Sequence, residues 1–472
     1  MAEFVRRTTT PVSPRALYDW HASGGAFSRL APPWESIEVQ SWRGGVATQD
    51  QHVANQYGDI STGATITLRT AIGPIGTTMI ARHVDHREGE LFVDEMIKGP
   101  FAAWRHEHRF LPGPDGTSVL EDHIDYKLPL GPLGAAFGGR FAHKKLEAMF
   151  TFRHRRTTQD LDRHKQFEDQ PRMTIAVSGA SGLVGRQLCA FLRGGGHRVR
   201  PLVRRAPAPH ADEIRWDPAA GTVDAEALEG TDAIIHLAGE SIMGRWTAAK
   251  RERIVRSRVQ GTRTIAEAAA AMKKKPAVIL STSAIGIYGD RGDQVLTEGD
   301  DQGGSGFLAD TCRQWEAAMD PARDAGVRVV HPRLGVVLSG QGGALAKMLP
   351  AFQLGVGGPI GGGRQWMSWI GLDDLIGIFH HALFTPSLDG PVNAVAPSPV
   401  RNGDYGRTLG RVLWRPALAP LPRPVVSAVM GQMGRELLLF SANVSAETLT
   451  GSGFRFLTPD LEETLRQELG RF

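Results

Sequence analysis

Cysteine is scarce in this chain: Cys189 and Cys312 are the two cysteines among 472 residues. Two thiols cannot build a disulfide framework, so we expect a protein of the reducing cytoplasm. Long apolar runs are missing as well. No stretch approaches the roughly 18–20 uninterrupted apolar residues of a membrane span, and residues 1–7 lack the apolar core of a secretory signal. We therefore predict a cytoplasmic protein without a membrane span.

A strong excess of one charge is also absent. The chain has 54 Lys and Arg residues against 50 Asp and Glu residues, a net charge of +4. The arginines are scattered, and few aromatic side chains lie between them as stacking partners for bases. We expect a small-molecule partner and no nucleic acid, and the composition leaves the oligomeric state open.

The composition changes sharply near residue 170. Residues 153–172 are polar and charged, whereas the next six residues, MTIAVS, form an apolar run typical of a buried strand. We interpret the polar run as a helix end followed by a linker. The predicted domains are residues 1–165 and 173–472, joined by a linker at residues 166–172.

The first domain has strand-like alternation. Residues 65–70, 91–97 and 118–126 alternate apolar and polar side chains, and a helical pattern follows at residues 141–152. We predict an α+β domain in which a curved antiparallel sheet wraps a helix. His106 and His108 share one face of a strand. No third metal ligand is signalled near them, so we interpret the pair as a polar patch in a cavity and predict no metal site.

The second domain alternates apolar runs with helical stretches. The apolar runs occupy residues 175–177, 198–203, 233–237, 277–281 and 327–331. This order predicts an α/β domain with a doubly wound parallel sheet, whose ligand site lies at the carboxyl ends of the strands.

A glycine-rich motif, GASGLVG at residues 179–185, follows the first of these strands and precedes a helix. Gly179 permits a tight turn, Gly182 lets backbone N–H groups approach a pyrophosphate, and Gly185 allows close helix-to-sheet packing. The phosphates are then expected at the positive helix N-terminus. The predicted cofactor-binding residues are Gly179, Ser181, Gly182, Leu183, Val184, Gly185, Arg204, Arg205, His236, Leu237, Ala238 and Gly239.

The end of the second strand indicates which dinucleotide binds. An NAD site needs a carboxylate there for the ribose 2′-hydroxyl, whereas this chain has Arg204 and Arg205. Guanidinium groups pair with a 2′-phosphate. We therefore predict NADP rather than NAD.

With these motifs, the chain resembles the extended short-chain dehydrogenase/epimerase superfamily. The resemblance includes HLAGE at 236–240 and STSAIGIYG at 281–289. SRVQGT at 257–262, FLADTCRQWE at 307–316 and SWIGLDD at 368–374 narrow it to the branch often labelled sugar nucleotide epimerase or "cell-division inhibitor". It covers residues 173 to about 470 and implies an NADP-dependent oxidoreductase or epimerase with a Rossmann fold of the extended type.

Residues 1–165 resemble a second family, the helix-grip fold of polyketide cyclase and lipid-transfer-like proteins. The resemblance rests on RLAPPW at 29–34, GPFAAWRHEH at 99–108 and FRH at 152–154. It implies a cavity between the sheet and a long helix that binds an apolar ligand, more than it implies any chemistry.

The chain departs from the superfamily at its proton relay. Ordinary members use a Tyr-x-x-x-Lys pair, in which the lysine lowers the tyrosine pKa. None of the five tyrosines has a lysine four residues later. The remaining catalytic candidates are Ser283, at the position of the superfamily's Ser/Thr, and Tyr288.

The substrate pocket is expected on loops near the strand ends. Its predicted residues are Glu240, Arg245, Trp246, Gln365 and Trp369. The glycine-rich residues 355–365 are interpreted as a loop or lid over the substrate, because they lack the Lys-Ser/Thr of a P-loop. Asp373 and Asp374 are interpreted as first-turn charges facing a helix dipole.

Two functions remain open. The well-formed nucleotide motif and Ser283 favour an NADP-dependent oxidoreductase or epimerase of unknown substrate. The missing Tyr-Lys pair favours the alternative, a non-catalytic NADP(H)-responsive binding or regulatory protein.

Overall fold

The computed structural model describes residues 1–44, 58–72, 75–209 and 211–472. The strands of the N-terminal part are β1 (Ala2–Thr10), β2 (Glu38–Arg43), β3 (Thr65–Ile72), β4 (Ile75–Arg87), β5 (Leu91–Lys98), β6 (Ala103–Pro112) and β7 (Ser118–Lys127). Its helices are α1 (Pro14–Ala22), α2 (Ala26–Leu30), the 3-10 turn Pro114–Gly116 and α3 (Gly131–Lys165).

Within the described residues, the N-terminal strands form one antiparallel sheet in the order β1-β7-β6-β5-β4-β3-β2. Apolar side chains of β7 alternate inward, as a strand with one covered face requires. Ile124 and Tyr126 from β7 pack with Leu146 and Phe150 from α3. The predicted α+β helix-grip fold is therefore confirmed.

Helix α3 is much longer than the sequence pattern predicts. The pattern predicts a helix at residues 141–152, whereas α3 spans Gly131–Lys165. The polar residues 153–165 are helical, and Arg156, Asp160 and Arg163 are buried. Their charged side chains face partners from distant parts of the chain, and α3 ends at Lys165, directly before the predicted linker at residues 166–172.

The C-terminal part carries the remaining elements. Its strands are β8 (Thr174–Ser178), β9 (Arg198–Val203), β10 (Ile214–Asp217), β11 (Thr222–Val223), β12 (Ala233–His236), β13 (Val278–Ser281), β14 (Ser283–Ala284), β15 (Val295–Leu296), β16 (Arg328–Leu334), β17 (Val336–Ser339), β18 (Trp366–Met367), β19 (Trp369–Gly371), β20 (Gly390–Ala394), β21 (Val400–Arg401) and β22 (Asn443–Val444). Its α-helices are α4 (Leu183–Gly194), α5 (Ala225–Leu228), α6 (Ala248–Ala271), α7 (Phe307–Ala317), α8 (Asp320–Asp324), α9 (Gly343–Gln353), α10 (Leu372–Phe384), α11 (Asn402–Leu413), α12 (Arg423–Gly434), α13 (Glu447–Gly451) and α14 (Leu461–Leu469). The 3-10 segments Ile285–Tyr288 and Glu298–Gly303 and the π-helical turn Arg435–Leu439 complete this part.

The main C-terminal sheet is a doubly wound parallel sheet. Its strand order is β11-β10-β9-β8-β12-β13-β16-β14, and β20 pairs with β16. Pairing is parallel from β10 through β16 to β20. The order reverses between β8 and β12, which opens a crevice at their carboxyl ends. The predicted Rossmann sheet is confirmed. Among the described residues, no helix is long and apolar enough to cross a membrane.

The two parts meet at a buried cluster of ion pairs centred on Arg29 of α2. Arg29 is 1% exposed. It forms a salt bridge with Asp160 of α3 at 2.5 Å and another with Asp373 of α10 at 3.0 Å. It also donates to Gln187 Oε1 of α4 at 3.1 Å. One guanidinium thus joins both parts of the chain.

Two further arginines of α3 contribute to the same junction. Arg156 pairs with Asp373, and Arg163 pairs with Asp374 at 2.8 Å. Asp373 and Asp374 do lie in the first turn of α10. Their interpretation as charges that only face a helix dipole is nevertheless wrong, because both are buried against arginines of the N-terminal part.

Helix α2 also packs directly on α4, the helix that follows the glycine-rich motif. A Cβ on Gly25, which precedes α2, would lie 2.8 Å from the Cβ of Ala190 on α4. Gln187 of α4 donates to the Ser28 carbonyl of α2 at 3.1 Å. The N-terminal part therefore rests on the nucleotide-loop helix through close contacts.

We expect Arg29→Met to lower the free energy of unfolding by about 3–5 kcal/mol, because buried carboxylates lose their shared cation. Urea denaturation of the full-length protein measures this change. Arg15→Met is the matched control. Arg15 pairs with Asp19 and Glu88 on the surface, so its loss should leave stability almost unchanged. Equal stabilities of the two variants would contradict the role of Arg29.

Candidate functional site

The turn between β8 and α4 has room for no residue larger than glycine at two positions. Gly179 has φ +69°, and a Cβ there would lie 2.9 Å from the Leu237 carbonyl carbon. A Cβ on Gly185 would lie 2.2 Å from the Gly179 carbonyl oxygen. The motif thus brings the start of α4, the turn and the end of β12 into close backbone contact, as a dinucleotide turn requires.

The helix that follows can receive an anion at its N-terminus. Gly182 is the N-cap residue of α4 and supplies no side-chain cap. Leu183, Val184 and Gly185 form the first turn, whose backbone N–H groups lack partners within the helix. Ser181 and Gly182 are exposed. Negative groups are favoured at such a position.

A buried hydrogen-bond cluster holds the ends of β8 and β12 together. Ser178 Oγ lies 2.7 Å from His236 Nδ1 and accepts the N–H groups of Leu237 at 3.1 Å and Ala238 at 3.3 Å. Burial lowers the pKa of His236 to about 3, so its ring is neutral and Nδ1 can accept the Ser178 proton. The cluster fixes the backbone of residues 236–239 beside the glycine turn.

The two arginines after β9 differ in their surroundings. Arg205 pairs with Glu213 at 2.5 Å. Arg204 is exposed, and within the described part of the chain no ion pair engages it. Arg204 is therefore the better placed of the two to meet a 2′-phosphate, and the predicted role of Arg205 competes with Glu213.

Ser283 lies at the start of β14, which follows β13 in the chain and, like β13, pairs with β16. It is 2% exposed, and its hydroxyl lies beside the Cys312 thiol and the Glu316 carboxylate. Burial raises the pKa of the Cys312 thiol to about 11, so this thiol is not an activated nucleophile. Ser283 stays a candidate for contact with a substrate oxygen.

Tyr288 is fully buried, at 0% exposure. Its hydroxyl donates to Asn393 Oδ1 at 2.6 Å and accepts from Arg333 Nη1 at 3.0 Å. Burial raises the Tyr288 pKa to about 12, although Arg333 acts in the opposite direction. This geometry corrects the prediction that Tyr288 donates a proton, because the phenol is enclosed, engaged and weakly acidic.

Arg333 was not among the residues that the sequence patterns singled out. Its guanidinium donates to both oxygens of Glu316 at 2.9 Å and to Asp301 Oδ2 at 2.9 Å. Arg258 was also missed: it donates to the Glu240 carbonyl at 2.9 Å and stacks 4.9 Å from the Trp315 ring centroid. Its one signal is its position in the SRVQGT motif.

The predicted pocket residues divide into two groups. Glu240, Arg245 and Trp246 lie on the loop between β12 and α6. Glu240 pairs with Lys250 at 2.6 Å, and Arg245 is exposed. Trp246 is buried and donates through Nε1 to the Ile242 carbonyl at 2.7 Å. This loop remains the candidate substrate loop.

The other two predicted pocket residues, Trp369 and Gln365, are buried. Trp369 is 0% exposed within the main core, and its Nε1 donates to the Ser398 carbonyl at 3.0 Å. Gln365 is also buried and donates to the carbonyls of Ile360 at 2.9 Å and Leu438 at 2.8 Å. These contacts place both side chains within the packed interior, and a role in the substrate pocket stays a prediction for them.

The N-terminal part encloses a cavity of about 500 Å³ between its sheet and α3. Most lining side chains are apolar, and the polar ones include His83, Asp94, His106 and His108. The rings of His106 and His108 lie 3.8 Å apart between centroids. The expectation that no third ligand lies near them is wrong, because Asp94 Oδ2 is 3.5 Å from His106 Nδ1.

Comparisons with known proteins give family matches in different parts of the chain. Residues 175–394 match the NAD dependent epimerase/dehydratase family, and residues 421–468 match a domain of unknown function, DUF1731. Residues 10–152 match the polyketide cyclase/dehydrase and lipid transport family. An epimerase family protein of Mycobacterium bovis is 40% identical over 292 residues, which cover 62% of this chain and 96% of the relative. The chain belongs to the NAD dependent epimerase/dehydratase family.

Solved structures of epimerase family relatives are similar too. A nucleoside-diphosphate sugar epimerase from Corynebacterium glutamicum is 33% identical, with a TM-score of 0.77, covering 99% of this chain and 90% of that one. Human epimerase family protein SDR39U1 with NADPH is 32% identical, with a TM-score of 0.58, covering 64% of this chain and 100% of that one. The first match spans both parts of the chain, so their combination is shared with that relative.

We expect Gly185→Ala to weaken NADPH binding at least about tenfold, a loss of about 1.4 kcal/mol. The added Cβ collides with backbone at Gly179, so the start of α4 must move away from the turn. Calorimetric titration of the full-length variant measures the change. Gly299→Ala is the control, since a Cβ there meets nothing within 4 Å. Unchanged affinity in a folded Gly185→Ala protein would remove this turn from the cofactor site.

Proposed function

We propose that this chain is an NADP(H)-dependent oxidoreductase or epimerase that acts on a small molecule at the carboxyl edge of the parallel sheet. The observation that carries the proposal is the glycine turn at the β8–β12 crevice, where a Cβ on Gly185 would lie 2.2 Å from backbone. This close packing sets the start of α4 against the turn, with Gly182 at its N-cap, and a pyrophosphate binds at such a helix N-terminus.

Preference for NADP over NAD is supported by charge at the end of β9. The first residues after that strand are Arg204 and Arg205, so no carboxylate stands there for the ribose 2′-hydroxyl. Arg204 is exposed and can pair with a 2′-phosphate. The human relative was solved with NADPH, which agrees with this choice of cofactor.

We expect NADPH to bind at least about tenfold more tightly than NADH, because a charge-assisted contact contributes about 1.5–3 kcal/mol. The double variant Arg204→Ala, Arg205→Ala should lose most of that preference. Calorimetry with both cofactors measures it. Arg263→Ala removes a surface arginine of α6 that pairs with Glu267, and it should keep the preference. Equal affinities of the unaltered protein for the two cofactors would refute the assignment.

The chemistry differs from that of the superfamily because the proton relay is different. Bound NADP(H) would supply or accept a hydride. Tyr288 is held by Asn393 and Arg333, so Ser283 or a water must meet the developing charge on the substrate oxygen. A neutral hydroxyl is a weak general acid at neutral pH. Turnover should therefore be confined to electrophilic carbonyl compounds.

We expect Ser283→Ala to lower kcat at least about tenfold while leaving NADPH affinity nearly unchanged, because general acid catalysis contributes about 100- to 10,000-fold. Quinones, diketones and activated enones are the substrates to screen, by loss of NADPH absorbance. Tyr288→Phe is the companion variant and should change kcat much less. A larger loss of kcat in Tyr288→Phe than in Ser283→Ala would reverse the assignment.

A second function, NADP(H)-responsive binding without turnover, is favoured by one contact. Ala26, Phe27 and Leu30 of α2 line the N-terminal cavity, and α2 packs on α4 beside the nucleotide turn. A ligand in the cavity would contact α2 and a nucleotide at the turn would contact the start of α4, so the two sites are joined through two helices that pack together. Tight NADPH binding without turnover of any carbonyl compound would favour this function.

The N-terminal cavity supports a ligand of its own. Its walls are mainly apolar, with Trp42, Ile66, Phe92, Phe101 and Met149 among them. A cavity of about 500 Å³ suits a small apolar molecule. The matched family's description includes lipid transport, which agrees with an apolar ligand here.

A further inference from the structure

The floor of the N-terminal cavity is polar, although its walls are apolar. Neighbouring strands bring the polar side chains together: Asp94 on β5 pairs in register with His106 on β6, and His108 pairs with Asp122 on β7. His106 and His108 are 3% and 8% exposed. Burying this many polar groups is costly unless each has a partner or ligand.

Asp94 faces one ring nitrogen of each histidine at an unusual separation. Its Oδ2 lies 3.5 Å from His106 Nδ1 and 3.6 Å from His108 Nε2. Hydrogen bonds of N–H to oxygen measure about 2.7–3.2 Å, so neither contact is one. Ligands of a tetrahedral zinc ion, with bonds of about 2.0–2.1 Å, lie about 3.3–3.4 Å apart. The two separations from Asp94 are close to that spacing, and all three ligand atoms lie within 4.8 Å of one another.

Asp122 contacts the histidines from the opposite side. Its Oδ1 accepts from His106 Nε2 at 2.8 Å and lies 2.7 Å from His108 Nδ1. His154 Nε2 contacts the other oxygen at 2.6 Å. If each histidine carries its proton on the nitrogen that faces Asp122, His106 Nδ1 and His108 Nε2 have lone pairs towards Asp94. A carboxylate behind the ligating histidines is the usual outer shell of a metal site.

The charges of the cluster also suit a cation. Asp94 and Asp122 contribute two carboxylates, and Arg153, which lines the cavity, contributes one guanidinium. Arg153 directs Nε to the Leu30 carbonyl at 3.2 Å. With both histidines neutral, as metal ligands must be, these groups carry a net negative charge that a divalent cation would counter.

We propose that Asp94, His106 and His108 bind one Zn²⁺ ion on the floor of this cavity, with a fourth coordination position facing the cavity interior. Two histidines and one carboxylate with an open position form a ligand set that zinc accepts. The open position would take an oxygen of a cavity ligand or a water. This site lies in the N-terminal sheet, so it is separate from the nucleotide turn.

The test uses full-length protein without a polyhistidine tag, freed of metal by a chelator and titrated with Co²⁺ and then Zn²⁺. We expect about one equivalent of Co²⁺ to produce the visible absorption of a four-coordinate ion, and Zn²⁺ to displace it. Asp94→Asn and His108→Gln should abolish the band or weaken Zn²⁺ binding at least about tenfold. Asp122→Asn, behind the ligands, should weaken it by about 10- to 100-fold.

His86→Gln is the matched control. His86 lies on β4, is not one of the three ligands and hydrogen-bonds the Tyr18 hydroxyl at 2.7 Å. The Zn²⁺ affinity of His86→Gln should therefore equal that of the unaltered protein. Circular dichroism and the NADPH affinity of each variant report whether it is folded. No saturable cobalt band in the unaltered protein overturns the proposal, whatever the variants do. Full Zn²⁺ affinity in folded Asp94→Asn overturns it as well.

Discussion

The buried guanidinium of Arg29 is the contact on which the arrangement of this molecule depends. It satisfies Asp160 within the N-terminal part and Asp373 within the C-terminal part, and it reaches Gln187 on the nucleotide-loop helix. Each of these charges is expensive to bury alone. Neither part can therefore move away from the other without exposing or stranding them, and the junction selects one relative position.

That junction has a consequence for communication between sites. Helix α2 forms part of the cavity wall on one side and contacts α4 on the other. Helix α4 begins at the glycine turn. A ligand that moves α2 changes the surroundings of α4, and by linkage the reverse holds equally. The similarity to the solved relative from Corynebacterium glutamicum covers 99% of this chain and therefore includes both parts.

The glycine turn and the surroundings of Tyr288 differ in how closely they follow the pattern of the superfamily. At the glycine turn, positions 179 and 185 have no room for a side chain. The hydrogen bond between Ser178 and His236 fixes the neighbouring strand. Around Tyr288, Arg333 of β16 binds Glu316, Asp301 and the Tyr288 hydroxyl in one network. The Tyr288 hydroxyl is held inside this network by Asn393 and Arg333.

Short-range patterns in the sequence determined the order of the elements and the nucleotide turn. Alternation and apolar runs locate strands because side-chain orientation repeats locally. The G-x-x-G-x-x-G spacing locates the turn, because the positions that require glycine for steric reasons lie within a few residues of one another. The predicted parallel sheet, antiparallel sheet and glycine turn all follow from such local rules.

Tertiary structure alone decided the partners of the charged and polar groups. Residues 153–165 are polar and charged, and Arg156 and Arg163 among them are buried because their partners Asp373 and Asp374, more than two hundred residues away in sequence, lie close in space. Asp94 joins His106 and His108 only through strand register. Tyr288 and Trp369 are enclosed by elements that fold over them from elsewhere. Burial and long-range pairing depend on which surfaces pack together, and no local pattern of residues encodes that.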